Sequence, residues 1–103
     1  MANRNQLLFD IATLIGIALP DIWHSQNALL HNIAKGVGGA SDISDNRNTI
    51  LADILTALGG TPLPDDNRNI LLSKINITYD VAYKNLGQNR NILLTDWLGY
   101  VTP

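Results

Sequence analysis

An all-α array of five tandem repeats, each a short helix plus a connector, is the fold class that this sequence predicts. Three observations predict it. The first is a recurring hexapeptide. Asn3-Arg4-Asn5-Gln6-Leu7-Leu8 returns as Asn46-Arg47-Asn48-Thr49-Ile50-Leu51, as Asn67-Arg68-Asn69-Ile70-Leu71-Leu72 and as Asn89-Arg90-Asn91-Ile92-Leu93-Leu94. A weaker copy is Ser25-Gln26-Asn27-Ala28-Leu29-Leu30. With the arginine (or Gln26) as origin, the steps are 22, 21, 21 and 22 residues, and a period in the low twenties marks a repeat array. The second observation is the apolar spacing behind each hexapeptide. Ile50, Leu51, Ile54, Leu55 and Leu58 fall on one face of a 3.6-residue period. The third is composition. All nine acidic residues are Asp and twelve residues are Asn, the residue types of caps and turns rather than of helix interiors.

The copies span about 3–24, 25–45, 46–66, 67–88 and 89–103, together one repeat domain over 1–103. Leu7, Leu8, Ile11, Ala12 and Ile15 form the apolar face of the first. Leu29, Leu30, Ile33, Ala34 and Val37 repeat it in the second, and Leu93, Leu94, Trp97, Leu98 and Val101 in the fifth. Helix starts are expected near Asn3, Ser25, Asn46, Asn67 and Asn89, where side-chain oxygens can cap. Gly16, Gly38-Gly39 and Gly59-Gly60 are expected as stops. The fourth copy lacks a glycine pair. Its helix is expected to run on through Ala82, Tyr83 and Leu86 toward Gly87. Ile75, Ile77, Tyr79, Val81 and Tyr83 also alternate as a strand would.

Connector length bears on stacking. The eight residues Gly59 to Asp66 can reach roughly 26 Å, while a helix of about 13 residues is roughly 20 Å long. A connector can therefore run back along its helix and start the next one in parallel. Near-identity of the copies favours this solenoid-like stacking over a compact antiparallel array.

The repeated polar residues read as structural. Asn5, Asn27, Asn48, Asn69 and Asn91 fill one position in all five copies, and Arg4, Arg47, Arg68 and Arg90 precede four of them. First-turn asparagines can cap or hold a connector. On that reading Asn48 matters more to stability than Asn76, which lies off the register. Arginine at a helix N-terminus opposes the macrodipole, so partners are expected for it among Asp45, Asp65, Asp66, Asp10, Asp53 and Asp96. The set forms a structural ladder. With seven Lys and Arg against nine Asp, nucleic acid is not an expected partner.

Catalytic, cofactor and metal sites are not expected. There is no cysteine. His24 and His31 with Asp21 lack further ligands at zinc spacing. Ser25, His24 and Asp21 sit in no nucleophile elbow, and Gly36-Val37-Gly38-Gly39 precedes no Lys-Ser/Thr. The apolar stretch Leu7 to Leu19 is broken by Asp10 and is shorter than the roughly 20 residues of a membrane span. Ile22, Trp23, Trp97 and Tyr100 form a candidate contact patch, since aromatics mark interfaces. Both ends of the array are apolar: Leu98, Tyr100 and Val101 close it, and Leu14, Ile15 and Ile17 end its first helix. Exposed ends predict a homo-oligomer.

The run from Leu58 through Gly59-Gly60-Thr61-Pro62 to Asn67-Arg68-Asn69-Ile70-Leu71-Leu72 resembles short tandem repeats of tailed-bacteriophage virion-associated proteins. The resemblance is strongest from Asn46 to Leu72 and weakens at Gln26 and after Ile75. It implies a non-enzymatic structural component of a phage particle, a capsid accessory, neck or tail protein, that contacts other virion proteins. It places the chain in the virion, or in host cytoplasm during assembly. The alternative is a helical-repeat module that binds a protein or peptide outside any virion.

Overall fold

The computed structural model describes residues 3–17, 25–40, 46–86 and 88–103. Among them run five helices: α1 (Arg4–Ile15), α2 (Gln26–Gly36), α3 (Arg47–Ala57), α4 (Arg68–Tyr79) and α5 (Arg90–Val101). Each start has the same chemistry. Asn3, Ser25, Asn46, Asn67 and Asn89 have extended backbone, and each side-chain oxygen accepts the amide N–H three residues on. Removing such a cap costs about 1 kcal/mol.

The stops differ. After α2 and α3, Gly38 and Gly59 adopt φ of +90° and +95°. Gly38 N–H then donates to Lys35 O and Gly39 N–H to Ala34 O, while Gly59 and Gly60 donate to Thr56 O and Leu55 O. That paired pattern satisfies the last carbonyls and needs a residue without a Cβ at the left-handed position. Gly16 instead has ordinary extended backbone after α1. The extension of α4 toward Gly87 does not form, nor does a strand. Asp80 ends the helix: its Oδ1 accepts from Ala82 N–H and its carbonyl from Tyr83 N–H. This local turn outcompetes further helix.

The helices close into a ring. Each packs on its neighbours in chain order, and α1 packs on α5. They are parallel. Arg4, Gln26, Arg47, Arg68 and Arg90, each the first residue of its helix, line one axial cavity together with Leu8, Leu30, Leu51, Leu72 and Leu94. The molecule measures 32 × 30 × 22 Å, so its thinnest dimension is close to the roughly 18 Å of a 12-residue helix. Inside lie the repeated pairs, all buried: Leu7-Leu8, Leu29-Leu30, Ile50-Leu51, Leu71-Leu72 and Leu93-Leu94. One turn on, Ile11, Ile33, Ile54, Ile75 and Trp97 are fully buried in equivalent slots. α1 and α2 approach so closely that a Cβ on Gly36 would lie 1.9 Å from the Ile15 carbonyl oxygen.

Closure changes the expectation drawn from the ends. The first and last helices cover each other, which closes the sides of the array, while Leu14 and Ile17 at the helix C-terminal end stay exposed.

Three connectors are clamped by one repeated slot, seven residues after the caps of α3, α4 and α5. In α3 this is Asp53, whose Oδ1 accepts from Ala40 N–H. In α4 it is Lys74, which donates to Thr61 O and to Asp66 Oδ2. In α5 it is Asp96, which accepts from Tyr83 OH and Asn85 Nδ2. Lys74 and the Leu63 N–H hold the Asp66 carboxyl below the usual carboxylate range. These three clamps pin the connectors before α3, α4 and α5 to the helix that follows each.

Asn76 reverses the ranking expected for the asparagines. It is fully buried, and its Nδ2 donates to Leu93 O across the α4–α5 contact. Asn48 is exposed. Asn76→Ala should cost about 1–3 kcal/mol, from the lost bond and the space left behind. Asn48→Ala should cost about 0.5 kcal/mol or less, as for surface substitutions. Urea denaturation of the two variants orders them.

Candidate functional site

The helix N-termini gather at one end of the ring and carry its densest chemistry. Because the caps are Asn3, Ser25, Asn46, Asn67 and Asn89, the next residue is Arg in four copies and Gln26 in the second, followed by the invariant Asn of the repeat. Asn5, Asn27, Asn48, Asn69 and Asn91 therefore do not cap. Four of them, Asn5, Asn27, Asn48 and Asn69, accept from the first residue of the next helix. Gln26 Nε2 donates to Asn5 Oδ1 at 3.0 Å and Arg47 Nε to Asn27 Oδ1 at 2.9 Å. Arg68 Nε donates to Asn48 Oδ1 at 3.1 Å and Arg90 Nε to Asn69 Oδ1 at 3.4 Å.

Three rungs thus join arginine to asparagine and one joins Gln26 to Asn5, and none of the described aspartates expected beside the arginines takes part. Asp53, Asp66 and Asp96 instead hold connectors, and Asp10 accepts from Gln6 Nε2 within its own helix. Asp45 lies outside the described residues. Among the described residues no carboxylate forms an ion pair with any of the four arginines; the pair found there is Lys74–Asp66. The fifth rung, Arg4 to Asn91, is not made, and Asn91 Oδ1 is buried without a partner.

Four guanidiniums around one axis repel one another. Arg90 is held below the ordinary arginine value first by burial, then by the charges of Arg4, Arg68 and Arg47. The macrodipoles of five parallel helices add positive potential at this end. The axial cavity beneath is ≈ 20 Å³ with a floor of leucines, room for one water-sized guest. Beside it, Asn48, Asn67, Arg68, Asn69 and Arg90 line an open groove of ≈ 400 Å³.

The expected contact patch divides. Trp97 is fully buried and belongs to the core. Tyr100 is half-buried: it stacks on Tyr79 at 5.9 Å, meets Tyr83 edge-on at 6.1 Å, and donates to Asp80 Oδ2. Ile22 and Trp23 lie outside the described residues. So do His24 and Asp21; among the described residues no three metal-ligating side chains come together.

A second polar cluster surrounds Tyr100. Asp80, Tyr83, Lys84, Asp96 and Tyr100 line an open cup of ≈ 650 Å³. Burial, then the Asp96 carboxylate, pushes the Tyr83 phenol up. Burial and Asp80 do the same for Tyr100. Both phenols therefore stay protonated and donate, which fastens the α4–α5 connector to α5. Sequence reading passed over this cluster; the loss of the glycine pair in copy four is its signal, because a different anchor has to replace that stop.

No helix among the described residues is long and apolar enough to cross a membrane. No family model matches the chain, and no curated protein or solved structure matches it.

Proposed function

We propose that this chain is a non-enzymatic structural component of a bacteriophage particle, a capsid accessory, neck or tail protein, that acts through protein–protein contacts. The observation that carries the reading is closure. Five near-identical copies turn their apolar faces inward, and caps, ladder and clamps tie the frame together. A disc built in this way is closed on itself and has two chemically distinct ends. The N-terminal end is cationic. At the other, Leu14, Ile17, Tyr79 and Val81 are exposed, Val81 at 89% and Ile17 at 70%. Such a block suits a position between two different neighbours, and exposed apolar side chains suit contact with a protein. The neighbours on this reading are other virion proteins, matched to two ends of different chemistry. The resemblance of the Asn-Arg-Asn repeats to those of tailed-phage proteins supports the same reading.

Mass spectrometry of purified particles from the source tests it. The chain should appear at a fixed copy number per particle. A chain carrying Ile17→Asp and Val81→Asp should fold yet be depleted from particles. A chain abundant in infected cells and absent from particles would move the reading to a binding module outside the virion.

A further inference from the structure

We propose that the arginine face is a receptor for a compact, multiply charged phosphate ligand, with its main subsite in the groove between Arg68 and Arg90.

The groove offers donors and no free side-chain acceptor. Asn48 Oδ1 accepts from Arg68 Nε, Asn69 Oδ1 from Arg90 Nε, and Asn67 Oδ1 from Ile70 N–H. Each amide oxygen is engaged within the chain, and each leaves its Nδ2 as a donor. Each guanidinium has its Nε engaged, leaving its two Nη groups as a fork of donors at the groove. Such a fork matches two oxygens of one oxyanion. The bond at Nε also fixes each guanidinium plane before a ligand arrives, which lowers the ordering cost of binding. Two forks and three amides exceed what the two oxygens of a carboxylate can accept, and they suit the oxygens of a phosphate.

Charge points the same way. Four of the seven basic residues of a chain with net charge -2 meet at this one end. Among the described residues none of the four has a carboxylate partner. The starts of α3, α4 and α5 add their dipoles at the groove. A single negative charge would leave most of this field uncompensated, whereas a triphosphate would compensate it. The layout also selects against an extended strand. Binding a nucleic-acid backbone calls for cations along a track, and here they converge on an axis.

Copy two supplies the control. Gln26 stands where the other copies have Arg and still donates to the preceding asparagine at 3.0 Å. Glutamine at 68 and 90 should therefore keep the ladder and remove the charge. Isothermal titration calorimetry of the full chain with inorganic triphosphate, at fixed ionic strength, is the test. Saturable one-site binding is expected, weakened at least tenfold in R68Q/R90Q, with acetate showing none. Amide chemical shifts in the wild-type chain should move around residues 48, 68–70 and 90, which locates the site without any variant. Absence of saturable binding would overturn the proposal. So would equal affinity in R68Q/R90Q, shifts centred on Tyr83 and Lys84, or tighter binding of single-stranded DNA at equal phosphate concentration.

Discussion

Trp97→Ala is expected to destabilise the protein by about 3–5 kcal/mol, the range for truncating a buried tryptophan. Trp97 heads the fully buried side chains of the described residues by size. It occupies the slot that Ile11, Ile33, Ile54 and Ile75 fill in the other copies, so four repeats supply an isoleucine where the fifth supplies an indole. The fifth helix packs on both α4 and α1, which places this side chain in the repeat that closes the ring. Alanine there would leave a cavity in a frame whose neighbours are held by caps and clamps and can collapse little. The indole Nε1 is buried with no partner, so hydrogen bonding contributes nothing to the loss. Trp97→Phe keeps most of the packing and removes the orphan donor. Its cost should stay below about 1.5 kcal/mol. Urea denaturation measures both. A cost under about 1 kcal/mol for Trp97→Ala would show that α5 is only loosely attached.

The local grammar of this fold is legible in its sequence because it is short-range. A cap at Asn46, an apolar pair at Ile50-Leu51 and a left-handed Gly59 each act within one helix, so their spacing suffices to place them. Closure is not short-range. Whether five copies stack openly or meet depends on the small rotation between neighbours, which no single repeat encodes. Of the apolar ends read as surfaces awaiting a partner, Ile15, Leu98, Tyr100 and Val101 pack against the core of the closed ring, while Leu14 and Ile17 stay exposed. The ladder shows a related difficulty. Charge alone pairs Arg68 with an aspartate, yet the residue repeated in step with arginine is asparagine, and a residue that recurs in register is the one a neighbouring copy can meet. The weight of Asn76 is hidden for the opposite reason. It is polar in a slot held by Ala34 and Leu55 in other copies, and only the Leu93 carbonyl across the interface explains it.

Removing the fifth copy, residues 89–103, is expected to abolish cooperative folding. In an open array a terminal repeat contributes one interface, and the remaining copies keep theirs. In this ring α5 contributes two, with α4 and with α1. Deletion takes away Leu93, Leu94 and Trp97 and uncovers the faces of α4 and α1 that packed on them. It also removes the acceptors of two bonds, Leu93 O for Asn76 and Asp96 for Tyr83. Domains are stable by only about 5–15 kcal/mol, and a loss at two interfaces is of that order. The shortened chain should associate through its uncovered faces in light scattering and show no sharp denaturation midpoint, while the full chain should run as a monomer. Circular permutation separates closure from mere length. From the end of α5 to the start of α1 the chain would have to run back along a helix, as the segment after Leu58 does to reach Asn67. A copy of Gly59–Asp66 should therefore bridge that gap, and a chain so joined and opened before Asn46 should unfold near the parent midpoint. A shortened chain that stays monomeric and unfolds as cooperatively as the parent would mean that the α1–α5 contact contributes little, and that the five copies behave as an open stack.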